Sequence, residues 1–253
     1  MGYFKLERNQ AKILEYSVDL FNFADAVSYT KYLLESEYSA QIVTINPEMI
    51  EYALKNEDFS SVLNHAELVI PDGMGIKIAL AVKGIKQERI PGIEFSKEVL
   101  KVCADVNIPV AMIGSTKQIV EKAVENLKNE IPNLNIVYFR DGFFQSDDEA
   151  KIADEIKKSG ARFILAALGS PKQEFFIDNC RKIINNAVWI GVGGSFDVWS
   201  GVVKRAPIIF RKLGLEWLYR VINNPKRISR IFPTLPIFII RVIIEKLKLS
   251  KKS

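Results

Sequence analysis

The 253-residue sequence predicts an α/β protein: a mainly parallel sheet with helices on both faces, followed by a C-terminal helical appendage. Three observations carry that prediction. Short apolar runs alternate along the chain with helix-sized stretches, which is the pattern of strand–helix–strand units. Several of those runs lack polar alternation, as strands buried on both faces should. Charge, finally, is divided. From residue 204 onward thirteen Lys and Arg face only Glu216 and Glu245, a net +11, which leaves −6 on residues 1–203 of a chain whose total is +5. The expected division is an α/β body over 1–201 and a basic, apolar appendage over 202–253.

In chain order, the first element is an additional strand near 13–20. The run QIVTI predicts a strand at 41–45, and a helix follows over 47–55. ELVI at 67–70 is the next strand, ended by Pro71-Asp72-Gly73, with a helix over 75–82. A helix over 94–105 leads to the strand PVAMI at 109–113, then a helix over 117–130. NIVYF at 135–139 and RFILAAL at 162–168 are strands on either side of a helix over 147–159. The next helix, 171–184, has Ser170 as its N-cap and Pro171 at its first position. AVWIGV at 187–192 is the last strand. No internal repeat or low-complexity segment interrupts the series.

Composition narrows the chemistry. Residues 1–10 mix charges with apolar residues and lack the apolar core of a secretory signal. Cys103 and Cys180 fall in helices and read as reduced core thiols rather than a disulfide. A single histidine, His65, and no clustered cysteine argue against zinc. No Asp-x-Asp pair occurs, so the commonest carboxylate clamp for a nucleotide-bound divalent metal is missing. No metal and no cofactor are expected.

Ligands of open α/β sheets bind outside the carboxyl ends of the strands. The residues that end strands therefore matter most: Thr44 and Asn46, Asp72, Gly114 and Ser115, Asp141 and Gly142, and the segments 169–174 and 191–197. Asp72 has two readings. It is a turn residue capping the next helix, or a general base at the rim of a dry pocket, able to take a proton from an attacking hydroxyl. Gly73 and Gly75 would then let a ligand approach the backbone. In LGSPKQE a small-residue turn opens a helix whose first amides can hold phosphate oxygens. Gln173 there can bond a ligand at the strand end, whereas Glu174 reads as a complement to the helix dipole. GVGGSFD repeats the design but is not a complete G-x-G-x-x-G. Arg89, before a Pro-Gly turn, is either a diphosphate ligand or a solvated charge. His65 is given no role.

The appendage differs in kind. Arg220, Lys226, Arg227 and Arg230 are interleaved with Trp217, Tyr219 and Phe232. Residues 237–249 are largely apolar but broken by Arg241, Glu245, Lys246 and Lys248. A bilayer span needs roughly 20 apolar residues, so the segment reads as an amphipathic helix lying in a membrane interface. Packing on the body or on a second subunit is the weaker alternative. Nucleic acid is disfavoured, because large aliphatics separate the basic residues and the body is acidic.

The pieces TINPE, PDGMGI, RIPGIEF, MIGST, ALGSPKQE, GVGGSFDVWSG, KRAP and GLEWLYRVINNPKRISR, running from Thr44 to Arg230, resemble in this order the WecG/TagA/CpsF family of bacterial glycosyltransferases. Glu94 departs slightly from the family pattern, which often has Asp there. The resemblance implies a Rossmann-like fold and an inverting, metal-independent transferase. It is most similar to members that move N-acetylmannosamine from a UDP-sugar to undecaprenyl-diphosphate-linked N-acetylglucosamine in wall teichoic acid synthesis. It assigns the base to Asp72 and places Thr44, Asn46 and Gln173 around donor or acceptor, with Arg89 near phosphate. It also implies an appendage that docks on the cytoplasmic membrane surface and brings Arg220, Arg227 and Arg230 to the site, with Arg205 a weaker candidate. A cytoplasmic protein, peripheral on the inner face of the membrane and able to form homo-oligomers, follows from the same resemblance.

Three other readings remain. One is the same fold transferring a different UDP-sugar, such as N-acetylmannosamine uronic acid, which a single pocket Arg could distinguish. Another is a nucleotide-dependent Rossmann oxidoreductase, disfavoured by the incomplete glycine motif. The last is a non-catalytic peripheral membrane protein.

Overall fold

The computed structural model describes residues 8–212, 216, 218, 219 and 228–250. The chain opens with an antiparallel hairpin, β1 (Gln10–Ile13) and β2 (Tyr16–Asp19), where the sequence suggested one strand. Helix α1 (Phe23–Glu35) leads into β3 (Ala40–Ile45), then α2 (Pro47–Ala53), α3 (Glu57–Asn64), β4 (Leu68–Pro71) and α4 (Gly73–Val82). Helix α5 (Gly92–Asp105) precedes β5 (Val110–Gly114), α6 (Lys117–Glu130), β6 (Ile136–Arg140), α7 (Glu149–Ser159) and β7 (Phe163–Ala167). Helix α8 (Lys172–Arg181), β8 (Val188–Gly191) and α9 (Ser195–Trp199) complete the body. The sheet order is β4-β3-β8-β7-β5-β6, and every neighbouring pair is parallel.

Helices α1 and α3 were not read from the sequence, yet both carry a start signal. Asn22 and Asn56 accept from the backbone N–H three residues on, at 2.8 Å each, which satisfies an otherwise orphaned donor. The start of α8 is shifted from expectation: Pro171, not Ser170, holds the N-cap position, and the helix begins at Lys172.

Alternation along the strands separates two cores. Ile42, Ile70, Met112, Leu165 and Ile190 face α1, α5, α6 and α9. Val43, Val69, Ala111, Ile164 and Trp189 face the side that carries α2, α3, α4, α7 and α8. Cys103 and Cys180 are buried and free, and burial pushes each thiol up to about 12, so both are inert core groups. The hairpin is pinned to the edge strand β4 by Asp19. That fully buried carboxylate accepts two bonds from Arg8 at 2.9 Å, one from Gln10 at 2.9 Å and one from the Val69 N–H at 2.8 Å. Four donors offset the cost of burying the charge.

The C-terminal helix, Ile228–Ser250, packs on the body. Phe238 and Val242 are fully buried in the core beneath α2 and α4. Ion pairs flank this face: Arg241 with Glu51 at 3.1 Å and Lys83 with Glu245 at 2.8 Å. Glu245 also accepts from the Leu14 N–H at 3.2 Å. A Cβ at Gly75 would lie 2.3 Å from Pro47 Cγ and 2.8 Å from Leu235 Cδ1. Gly75 thus admits the chain's own side chains, not a ligand as its motif suggested. Packing on the body, the alternative the sequence ranked lower, accounts for one face of this helix. Among the described residues no helix is long and apolar enough to cross a membrane.

If the helix is docked as described, Phe238→Ala removes a core side chain and should lower unfolding free energy by about 3–5 kcal/mol. Denaturant unfolding measures this. A change within about 0.5 kcal/mol, typical of surface positions, would mean that the helix is not docked.

Candidate active site

Strand β3 hands the chain to α2 on one face of the sheet, and its neighbour β8 hands it to α9 on the other. A crevice must open where adjacent connections part, at the carboxyl edge. A cleft of about 220 Å³ lies there, and Thr44, Asn46, Asp72 and Gln173 all line it. Four of the residues singled out in the sequence are thereby brought together from three strand ends.

Asp72 follows the last residue of β4, and its backbone N–H donates to the Ile45 carbonyl at 3.0 Å, which ties it to the end of β3. It occupies the N-cap position of α4, but its side chain makes no capping bond. The turn-cap reading therefore does not describe the carboxylate. Gly73 has φ +81°, a left-handed conformation that glycine adopts without strain. Asn46 is split between two tasks. Its Oδ1 caps α2 by accepting from Met49 N–H at 3.1 Å, which leaves the amide NH₂ to offer to the cleft. Thr44 lies under the start of α5. A Cβ at Gly92 would stand 3.0 Å from Thr44 Cγ2, so glycine lets the helix end close over the strand end.

Gln173 spans the cleft floor from α8 to the loop after β8. Its Oε1 accepts from Gly193 N–H at 3.0 Å, and its Nε2 donates to Glu174 Oε1 at 2.7 Å. A Cβ at Gly191 would be 2.3 Å from Nε2, so the glycine is the space Gln173 occupies. Glu174 is the acid in the first turn of α8, but it is buried there rather than solvated. It is 3% exposed, and burial raises its carboxyl above the ordinary value, against the opposing pull of hydrogen bonds from Gln173 and Ser170.

The arginines are placed less uniformly. Arg89 is not among the cleft-lining residues. It is half-buried on a loop that is joined to the end of β4, where Ile90 N–H donates to the Pro71 carbonyl at 2.8 Å. Arg220 and Arg227 lie outside the described residues, and Arg230 falls in the first turn of the C-terminal helix. Arg205, the weaker diphosphate candidate, forms an ion pair with Glu94 in the first turn of α5. Sequence reasoning missed Met49, Pro91, Ile93 and Glu216 as lining residues. The first three are apolar and carry no chemical signal; Glu216 sits within a stretch read as a basic, apolar appendage.

A larger cavity, about 440 Å³, lies across Ile93 between α1, α5 and α9. Its cations are matched by carboxylates: Lys97 with Glu130 at 2.5 Å, Lys101 with Glu98 at 2.8 Å, and Arg205 with Glu94. None of its lining residues ends a strand of the sheet, so the smaller cleft is the better candidate despite its size. No group of three or more His, Cys, Asp or Glu among the described residues is arranged to hold a metal ion.

A parallel α/β sheet with a polar cleft at the parting of its connections is the architecture of a ligand-handling enzyme. Residues 11–252 match the model of the glycosyl transferase WecG/TagA/CpsF family. The chain is 35% identical over 229 residues to the N-acetylglucosaminyldiphosphoundecaprenol N-acetyl-beta-D-mannosaminyltransferase of Bacillus subtilis (strain 168), covering 90% of this chain and 88% of that protein. It is 36% identical over 211 residues to the protein of the same name from Staphylococcus aureus (strain MW2), covering 83% and 82%. The chain belongs to the WecG/TagA/CpsF glycosyltransferase family.

Proposed function

We propose that the protein transfers N-acetylmannosamine from UDP-N-acetylmannosamine to N-acetylglucosamine carried on undecaprenyl diphosphate, the linkage unit of wall teichoic acid. The names of its relatives support donor sugar and acceptor. The observation that carries the mechanism is Asp72, held at the edge of the strand-end cleft with its carboxylate not spent on capping α4.

The transfer is an in-line displacement. The acceptor hydroxyl oxygen attacks the anomeric carbon and forms the new glycosidic bond. The bond from that carbon to the UDP diphosphate breaks, and its electron pair leaves with the diphosphate. The oxygen enters on the face opposite the departing diphosphate, so configuration inverts, and the hydroxyl proton passes to the Asp72 carboxylate. Thr44, Asn46 and Gln173 orient the sugar or nucleotide. Negative charge builds on the leaving diphosphate and is met by cations and backbone amides without a metal ion. Arg89, beside the β4 end, and Arg220, Arg227 and Arg230 of the appendage are the proposed cations.

The chain divides into a catalytic body, 1–201, and an appendage, 202–253, that docks at the membrane. Support comes from the outer face of the C-terminal helix. Ile237, Ile240, Ile244 and Leu247 recur at spacings of three and four and are 46%, 56%, 46% and 57% exposed. They lie opposite the buried Phe238 and Val242. A lipid-linked acceptor gives such a stripe a reason. The protein then sits on the inner surface of the cytoplasmic membrane.

Two experiments test this reading. Asp72→Asn should reduce UDP release by roughly 100-fold or more with an unchanged melting temperature, in an assay run with EDTA. Near-normal turnover of the variant would remove Asp72 from the role. Wild-type activity abolished by EDTA and restored by magnesium would remove the metal-free mechanism. For the membrane, Ile240→Glu with Ile244→Glu should weaken sedimentation with anionic liposomes, with turnover of a short-chain soluble acceptor retained. Liposome binding equal to wild type would place lipid elsewhere, and a loss of dimer instead would assign the stripe to a second copy of the chain.

A further inference from the structure

We propose that Glu174 is a positioning residue for this transfer: its buried carboxylate orients the Gln173 side-chain amide, so that Gln173 braces the glycine loop at Gly193 and presents its remaining N–H to the substrate cleft. The inference rests on the reading of the cleft as the substrate site.

A side-chain amide is nearly the same shape when turned by 180°, so its hydrogen-bond partners decide which end is oxygen. Gly193 N–H can only donate, and it lies 3.0 Å from Gln173 Oε1. Glu174 Oε1 lies 2.7 Å from Gln173 Nε2 and accepts from it. Both partners demand the same orientation. Turning the amide over would set N–H against N–H and oxygen against oxygen, losing both bonds. Nε2 carries two hydrogens, and one is spent on Glu174. Gln173 lines the cleft, whereas Glu174 does not. The carboxylate therefore acts through its neighbour.

The arrangement is costly, which argues against a role in stability. Glu174 is 3% exposed. Its Oε2 is buried with no well-formed hydrogen bond among the described residues, although the Ser170 hydroxyl is close enough to favour the charged form. Burial raises the pKa of the group, because desolvation disfavours its charged form. An apolar side chain of equal length would fill the space at lower cost. What it could not do is accept from Gln173.

Steady-state kinetics with the UDP-sugar and a soluble acceptor test this. Glu174→Met keeps the volume and removes the acceptor. It should raise the donor KM about tenfold, the worth of one well-placed hydrogen bond, with melting temperature equal to or above wild type. Glu174→Gln can still accept through its amide oxygen and should stay within twofold of wild type. On a Gln173→Ala background, Glu174→Met should add nothing, because the group it orients is gone. Should Glu174→Met fail to fold, Glu174→Ser removes the same acceptor, and UDP titration reads the same tenfold loss. A Glu174→Met or Glu174→Ser variant with wild-type KM and UDP affinity overturns the proposal. So does an equal loss on both backgrounds, which would mark a merely structural effect. Wild-type protein that neither binds UDP nor turns over would instead refute the transferase reading.

Discussion

Burial of the sheet on both faces is the constraint from which the rest follows. Strands β4, β5, β7 and β8 are buried at every position. A polar side chain within them would lose water without gaining a partner, at a cost of roughly 1–3 kcal/mol or more. Chemistry is therefore confined to strand ends, and parallel strands gather those ends on one edge. At that edge the β3 and β8 connections part to opposite faces, which is where Thr44, Asn46, Asp72 and Gln173 meet. The cleft is a consequence of topology, and the residues that line it are those the sheet can tolerate being polar.

The C-terminal helix is covered on one side and open on the other. Phe238 and Val242 anchor it in the same core as α2 and α4, the helices that follow Asn46 and Asp72. Leu235 closes over Gly75 in the first turn of α4. One side of the helix thus packs on the body, and the opposite side carries an exposed apolar stripe. A single helix with two apolar faces explains why the sequence read as a membrane segment. Both faces contribute hydrophobic residues, but only the fold reveals which are already covered.

Much of this was legible in advance. Strand runs such as RFILAAL and AVWIGV were recognisable because a doubly buried strand needs no polar alternation, and Asp72 stood out as a carboxylate directly after one. The order of motifs from Thr44 to Arg230 pointed to the family. What stayed hidden depends on long-range contact. Helix α3 is only eight residues long, and the caps of α1 and α3 are single asparagines. Glu174 looked like an ordinary first-turn acid, because nothing local shows that α8 buries it. Gly75 seemed reserved for a ligand, because Leu235 is 160 residues away in sequence. The pairing of Arg205 with Glu94 was invisible for the same reason.

The central claim is that the reaction occurs at the strand-end cleft with Asp72 opposite the leaving diphosphate. A crystal structure of the full chain with an unreactive UDP-sugar analogue and a soluble acceptor tests it most directly. The account predicts the acceptor hydroxyl within about 2.6–3.2 Å of the Asp72 carboxylate, with the diphosphate on the far side of the anomeric carbon. A donor sugar lodged in the larger cavity between α1, α5 and α9, or an Asp72 carboxylate on the diphosphate side, would contradict it.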